Sequence, residues 1–173
     1  MAEYYYLVSS LPDLVIGEDL PLSYDEFIKM CSANVSEEKL AILSDLTLSY
    51  EEGPIAKQWS EFYGNLTKEL NFQRSQLLGK SYPTDYDKDS ITAKVAAEAL
   101  NAKNPLEAEK ILLDYEFKAL DDIVGLHTYD DEFLFGYAIK LKLLERQNCF
   151  VTEKGKAEFK RLFDGVQQSV YSL

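Results

Sequence analysis

The chain has 173 residues, of which 46% are hydrophobic and 28% are charged. A chain of this length suits one domain that buries roughly 70% of its unfolded surface. Thirty acidic residues against 18 basic residues give a formal net charge of −12, which repels phosphate backbones and anionic lipids and so argues against nucleic acid and membrane surfaces as partners.

The first residues are aromatic and apolar. Residues 4–8, Tyr-Tyr-Tyr-Leu-Val, have the composition of a β-strand but lack the alternation of apolar and polar residues that marks one. Three adjacent tyrosines point in several directions, so we expect at least one ring at a surface or an interface, with its hydroxyl in water. We predict that this terminal segment docks on the core.

Two short helices follow. Ser23 to Glu26 has the pattern of a capping box, which predicts a helix through Met30. Ser36 is the predicted N-cap of the next helix, from Glu37 to about Leu48, whose first turn carries two carboxylates where the helix dipole favours negative charge.

A long helix is predicted from Gly53-Pro54 to about Leu78, because proline is tolerated at the first helical position. Apolar residues recur in it at spacings of three and four and form one stripe: Ile55, Trp59, Phe62, Leu66 and Leu70. We predict that this stripe packs in the core and that Trp59 is buried.

A loop at residues 82–85 is the best candidate boundary between an N-terminal helical lobe, 1–80, and a C-terminal helical lobe, 86–173, unless the two form one compact domain. An alanine-rich helix follows, and Asn104-Pro105 with Glu107 then marks a clear helix start. Gly125 marks the end of that helix.

The stretch from Asp131 to Arg146 predicts the central helix of the core. Its large apolar residues cover most of the helix circumference, which is typical of a buried helix: Phe133, Leu134, Phe135, Tyr137, Ile139, Leu141, Leu143 and Leu144. A closing helix begins at about Thr152, with apolar positions at Ala157, Phe159, Leu162, Phe163 and Val166. The whole pattern predicts an all-α bundle of about six to seven helices.

The motifs for common chemistries are incomplete. Gly79-Lys-Ser81 would end a phosphate-binding loop, but Arg74 stands where the first glycine belongs and a helix is predicted before it. A di-iron bundle needs Glu-x-x-His, and the single histidine, His127, follows Val124 at that spacing. His127 also lacks a recognisable nucleophile motif. We therefore predict no catalytic, cofactor-binding or metal-ligating residues.

Compartment is indicated by the cysteines and by the absence of targeting signals. Cys31 and Cys149 are far apart and have no zinc spacing, so we interpret them as reduced, packed thiols of a cytosolic protein. The N-terminus lacks the basic flank and apolar run of a signal peptide, and no apolar run approaches the roughly 20 residues of a membrane span.

Four stretches carry a resemblance to a known family. They are residues 4–12 (YYYLVSSLP), 24–27 (YDEF), 136–146 (GYAIKLKLLER) and 154–159 (KGKAEF). Together they resemble a bacterial family, designated a domain of unknown function, that is encoded among V-type ATPase subunits. In those gene clusters it is similar to the C-type subunit, known as the d-type subunit in eukaryotes, which is the all-helical funnel that joins the central stalk to the membrane ring.

The resemblance implies a non-catalytic helical subunit or assembly factor that couples stalk and ring. Its partners would be the V-type ATPase stalk and ring subunits, and it would be cytoplasmic and peripheral to the inner membrane through them. Tyr4, Tyr5 and Leu11 are the expected partner contacts. Two alternatives stay open: a helical protein–protein adaptor unrelated to ATPases, and a small acid–base enzyme that uses clustered carboxylates around Tyr129 and Asp130.

Overall fold

The computed structural model describes residues 4–150 and 152–171, and within the last helix it leaves out the side chains of 152–154, 166 and 168–171. The described residues are all-α, as predicted, with no strand among them. They form eight helices: α1 Tyr5–Ser10, α2 Tyr24–Ser32, α3 Glu37–Asp45, α4 Pro54–Leu77, α5 Ser90–Leu100, α6 Pro105–Val124, α7 Asp131–Asn148 and α8 Thr152–Tyr171.

The predicted helix starts of α2 and α6 are confirmed at the level of their hydrogen bonds. The Glu26 amide donates to Ser23 Oγ at 3.3 Å, and the Ser23 amide donates to Glu26 Oε2 at 2.8 Å. The Glu107 amide donates to Asn104 Oδ1 at 2.9 Å, one residue before Pro105 opens α6. These contacts satisfy amide donors that have no partner inside a helix.

Helix α3 is shorter than predicted. Ser36 is its N-cap residue, but its side chain makes no capping hydrogen bond, and the helix ends at Asp45 rather than near Leu48. The chain turns extended at the buried Leu46, and the carbonyl of Leu48 accepts a hydrogen bond from Trp59 Nε1 at 3.1 Å. The burial of Leu46 and the hydrogen bond from Trp59 to the Leu48 carbonyl account for the early end of the helix.

The N-terminal segment is helical, although its composition is typical of a strand. Tyr5–Ser10 forms α1, which buries Leu7 against the core, and Ser10 Oγ donates to the Leu7 carbonyl at 2.7 Å. No described strand lies nearby to pair with it, so the local helical hydrogen bonds prevail. The prediction that the segment docks on the core is confirmed.

Helix α7 is the centre of the core, as predicted. Nine of its 18 residues are buried, among them Leu134, Ile139 and Leu141. Trp59 of α4 is fully buried and belongs to the same apolar cluster, which also includes Leu113 of α6. That cluster therefore draws on both sides of the 82–85 loop, and the division into two lobes stays a prediction.

The two cysteines are both free thiols but lie in different environments. Cys31 is buried in the core, and this burial raises the pKa of its thiol to about 12. Cys149 is exposed, so its prediction as a packed thiol was wrong. It lies directly after the last residue of α7, beyond the buried stretch of that helix.

Candidate functional site

A group of exposed tyrosines lies just before the start of α7, and we call it the tyrosine patch: Tyr5, Tyr6 and Tyr129. The ring centroids of Tyr5 and Tyr129 are 5.0 Å apart, and those of Tyr5 and Tyr6 are 5.7 Å apart. Tyr6 is 87% exposed, and Leu126, three residues before Tyr129 in the chain, is 97% exposed. Grouped apolar side chains in water mark interaction sites more often than single ones do.

Tyr4 fixes the patch to the body of the protein. Its amide donates to the Tyr129 carbonyl at 2.6 Å, and its hydroxyl donates to Asp131 Oδ1 at 2.8 Å, at the first turn of α7. Burial, followed by the hydrogen bond to Asp131, raises the pKa of Tyr4 to about 12. Tyr4 is thus a buried anchor, while its neighbour Tyr5 is exposed.

The three residues predicted as partner contacts therefore lie in different environments. Tyr5 is exposed within the patch, Tyr4 is buried beneath it, and Leu11 is partly buried against the core. Their role in binding a partner stays a prediction. Tyr6 and Leu126, which are far more exposed, were not singled out from the sequence, because the period of a pattern does not show which side chains lie uncovered.

Helix α8 carries the second exposed apolar surface. We call Phe159, Leu162 and Phe163 the α8 face: the three are exposed, and the Phe159 and Phe163 rings stack with centroids 6.1 Å apart. Every described side chain from 155 to 165 is exposed, so this part of α8 does not pack in the core. The sequence predicted the helix and its apolar positions, but not that Ala157, Phe159, Leu162 and Phe163 face solvent; the side chain of Val166 lies outside the described part of the chain.

The charge on α8 differs from the charge on the rest of the chain. The range 152–171 contains four basic and three acidic residues, a net charge of +1, so the remainder carries −13 and the total is −12. Lys156 and Lys160 are exposed and adjoin the α8 face at helical spacing. Arg161 is occupied by an ion pair with Glu158, whose Oε2 lies 2.9 Å from Arg161 Nε.

Helix α7 lies between the two surfaces in the order of the chain. The tyrosine patch adjoins its first residue, Asp131, and α8 begins four residues after its last, Asn148. Eighteen residues of α-helix span about 27 Å. Because α7 is buried along most of its length, it holds its two ends at a fixed distance.

A partly buried ionic cluster joins α6 to α7 and was not found from the sequence. Arg146 Nε donates to Glu109 at 2.6 Å, and its Nη1 donates to Glu116, which is 2% exposed, at 3.1 Å. Burial raises the pKa of Glu116 against the opposing effect of Arg146. The cluster lines a cavity of about 250 Å³ in which the arginine is already paired, so its role is structural.

The groups considered for acid–base chemistry are exposed or partly exposed to solvent. His127 Nδ1 is 2.5 Å from Asp130 Oδ2, and this hydrogen bond, with the charge of Asp130, raises the pKa of the exposed His127. A cavity of about 760 Å³ along α4 carries three further carboxylates, Glu51, Glu61 and Asp87, all on exposed residues. In residues 4–150 and 152–171, no cluster of three His, Cys, Asp or Glu side chains is placed to hold a metal ion.

The fold and the two surfaces define an all-α protein with exposed apolar groups beside the start of its central helix and on its last described helix. None of the helices in the described part of the chain has the length and apolar character needed to cross a membrane. Comparisons with protein-family models, curated proteins and solved structures give no match.

Proposed function

We propose that the protein is a non-catalytic helical subunit that joins other proteins through its exposed apolar surfaces. One observation supports this most directly: two separate groups of large apolar side chains, the tyrosine patch beside the start of the buried helix α7 and the α8 face, are exposed to solvent. A protein that joins two others needs two docking surfaces.

The partners we propose are the stalk and ring subunits of a V-type ATPase, with the chain acting as a coupling element like the C-type subunit or as an assembly factor. The resemblance of the sequence to the family encoded among those subunits supports this choice. The strongly acidic remainder of the chain also suits docking on basic stalk helices, because complementary charge speeds association and selects partners.

Protein binding fits the exposed groups better than acid–base catalysis does. Tyr6 and Phe159 are 87% and 70% exposed, and leaving large rings in water forgoes the free energy that their burial on a partner would provide. The alternative enzyme would use the region of Tyr129 and Asp130, but Tyr129 and His127 are both exposed there, which does not suit chemistry that depends on the exclusion of water.

The test is affinity purification of the tagged full chain from cells that express a V-type ATPase. We expect stalk or ring subunits to co-purify with the wild-type chain and to be lost with Tyr6→Asp combined with Leu126→Glu. The matched control is Leu78→Glu, which places the same acid on an exposed leucine outside both surfaces and should retain the partners.

Two outcomes would contradict the proposed partner. A native ATPase complex isolated intact without this chain would show that it is not a subunit. Recovery of other proteins that also depend on Tyr6 and Leu126 would favour the adaptor unrelated to ATPases.

A further inference from the structure

The α8 face has the spacing of a helix that binds in a groove. Phe159, Leu162 and Phe163 stand at positions i, i+3 and i+4, which is the arrangement by which an amphipathic helix inserts its anchors into an apolar groove. All three are exposed, although the burial of large apolar side chains is favourable. The face is therefore suited to a concave apolar surface.

A groove of that kind lies elsewhere on the same protein. It has a volume of about 780 Å³ and runs between α4, α5 and α6. Its apolar lining is formed by Phe62, Ile91, Val95, Tyr115, Ala119 and Ile123. Ile91 is 62% exposed, and along α4 the groove extends from Gln58 to Asn65, about 10 Å of helix, whereas the anchors of the α8 face span about 6 Å.

The charges of the groove and of α8 are complementary. Glu61 and Asp122 line the groove on exposed residues, and Lys118 stands with them. On α8, Lys156 and Lys160 are exposed beside the α8 face and form no ion pair within the part of α8 whose side chains are described. Helix α8, with a net charge of +1 that includes the exposed Asp164, would thus meet a groove lined by two acidic residues and one lysine, on a remainder that carries −13.

We propose that the α8 helix of one copy of this chain docks in the α4–α5–α6 groove of a second copy, and that the exchange is reciprocal. A two-fold dimer then forms the same helix–groove contact twice, as closed symmetric dimers do. This inference rests on the proposed function in treating α8 as a docking surface, and it names the partner at that surface. The tyrosine patch of each copy stays available for other proteins.

The first test is the mass of the purified full chain, measured by sedimentation and light scattering from about 1 to about 100 μM. We expect a concentration-dependent rise from 19.8 kDa for one chain to twice that mass. Phe163→Asp in α8 and Ile91→Glu in the groove should each weaken the dimer on the order of tenfold or more. Leu78→Glu, an exposed leucine outside the groove, should leave it unchanged.

The second test is complementation between the two variants. The Ile91→Glu chain keeps an intact α8 and the Phe163→Asp chain keeps an intact groove, so the mixture should form a heterodimer with one intact contact. Each variant alone would have none. Dimerisation of Ile91→Glu at wild-type strength would overturn the proposal in favour of direct α8–α8 pairing.

A wild-type chain that stays monomeric throughout this concentration range would also overturn the inference. The same holds if the monomer binds vesicles of anionic lipid through α8. That result would leave the proposed function standing if stalk or ring subunits still co-purified with the chain. Conversely, a dimer that retains no such subunits would refute the ATPase partners and leave the helix exchange intact.

Discussion

Gly136 of α7 closely approaches helix α6, and its replacement tests how tightly the two helices are packed. A Cβ built at Gly136 of α7 would lie 2.3 Å from Cγ2 of Val124, the last residue of α6. Ordinary van der Waals contacts of such atoms lie at 3.4–4 Å. Because a β-branched side chain has few rotamers in a helix, the methyl group of Val124 has little room to move away.

The expected cost of Gly136→Ala is best measured against a second glycine. Gly64 lies inside α4, and a Cβ added there would meet nothing within 4 Å. Alanine is the better helix former by about 0.8–1.0 kcal/mol at both positions, so Gly64→Ala should stabilise the protein by up to about that amount. At Gly136 the overpacking costs about 1–3 kcal/mol in addition, and this is the expected difference between the two variants.

Urea unfolding followed by circular dichroism measures the free energy of unfolding of each variant. An unchanged dependence of that free energy on urea concentration shows that both variants unfold in the same transition. Combining Gly136→Ala with Val124→Ala should cost less than the sum of the two single changes, because the second removes the methyl group that the new Cβ meets. If Gly136→Ala proves as stable as Gly64→Ala, the inferred contact between α6 and α7 is wrong.

Three further predictions concern single contacts. Arg146→Met should lower the free energy of unfolding in urea by about 3 kcal/mol, because it leaves two glutamates of the ionic cluster without their cation. Arg161→Met, in the exposed ion pair on α8, should leave the free energy of unfolding unchanged. NMR titration of His127, the one histidine, should give a pKa above the ordinary value of 6.5, and Asp130→Asn should lower that pKa. The stability that this pair contributes is present below pH 6.5 and is lost as the pH rises through the folded-state pKa. An unchanged pKa in the variant would contradict the contact. Tyr4→Phe should cost about 1.5–3 kcal/mol by thermal or urea unfolding, because it removes a hydrogen bond to a carboxylate, and no loss would mean that the anchor is not formed.

Signals contained within a few residues were readable from the sequence. The capping residues Ser23 and Asn104 act on amides three positions ahead, so their effect needs no knowledge of the rest of the fold. The apolar circumference of α7 predicted its burial for a similar reason, since a helix that is apolar on most sides has no favourable position at the surface.

Features that depend on distant partners could not be predicted in the same way. Arg146 meets glutamates 30 and 37 residues earlier in the chain, and nothing in the local pattern pairs them. The end of α3 depends on Trp59, which donates to a carbonyl 11 residues before it. The apolar period of α8 was visible, but whether another element covers that face is a property of the whole fold.

The contrast between α7 and α8 carries the functional argument. Both are long helices with regularly spaced aromatic and aliphatic residues, yet α7 has nine buried residues and the α8 face lies in water. An apolar helix face gains free energy only when something covers it, and in α7 the rest of the bundle does so. For α8, the Lys156 and Lys160 side chains and the acidic residues Glu61 and Asp122 favour the groove of a second molecule as the covering surface.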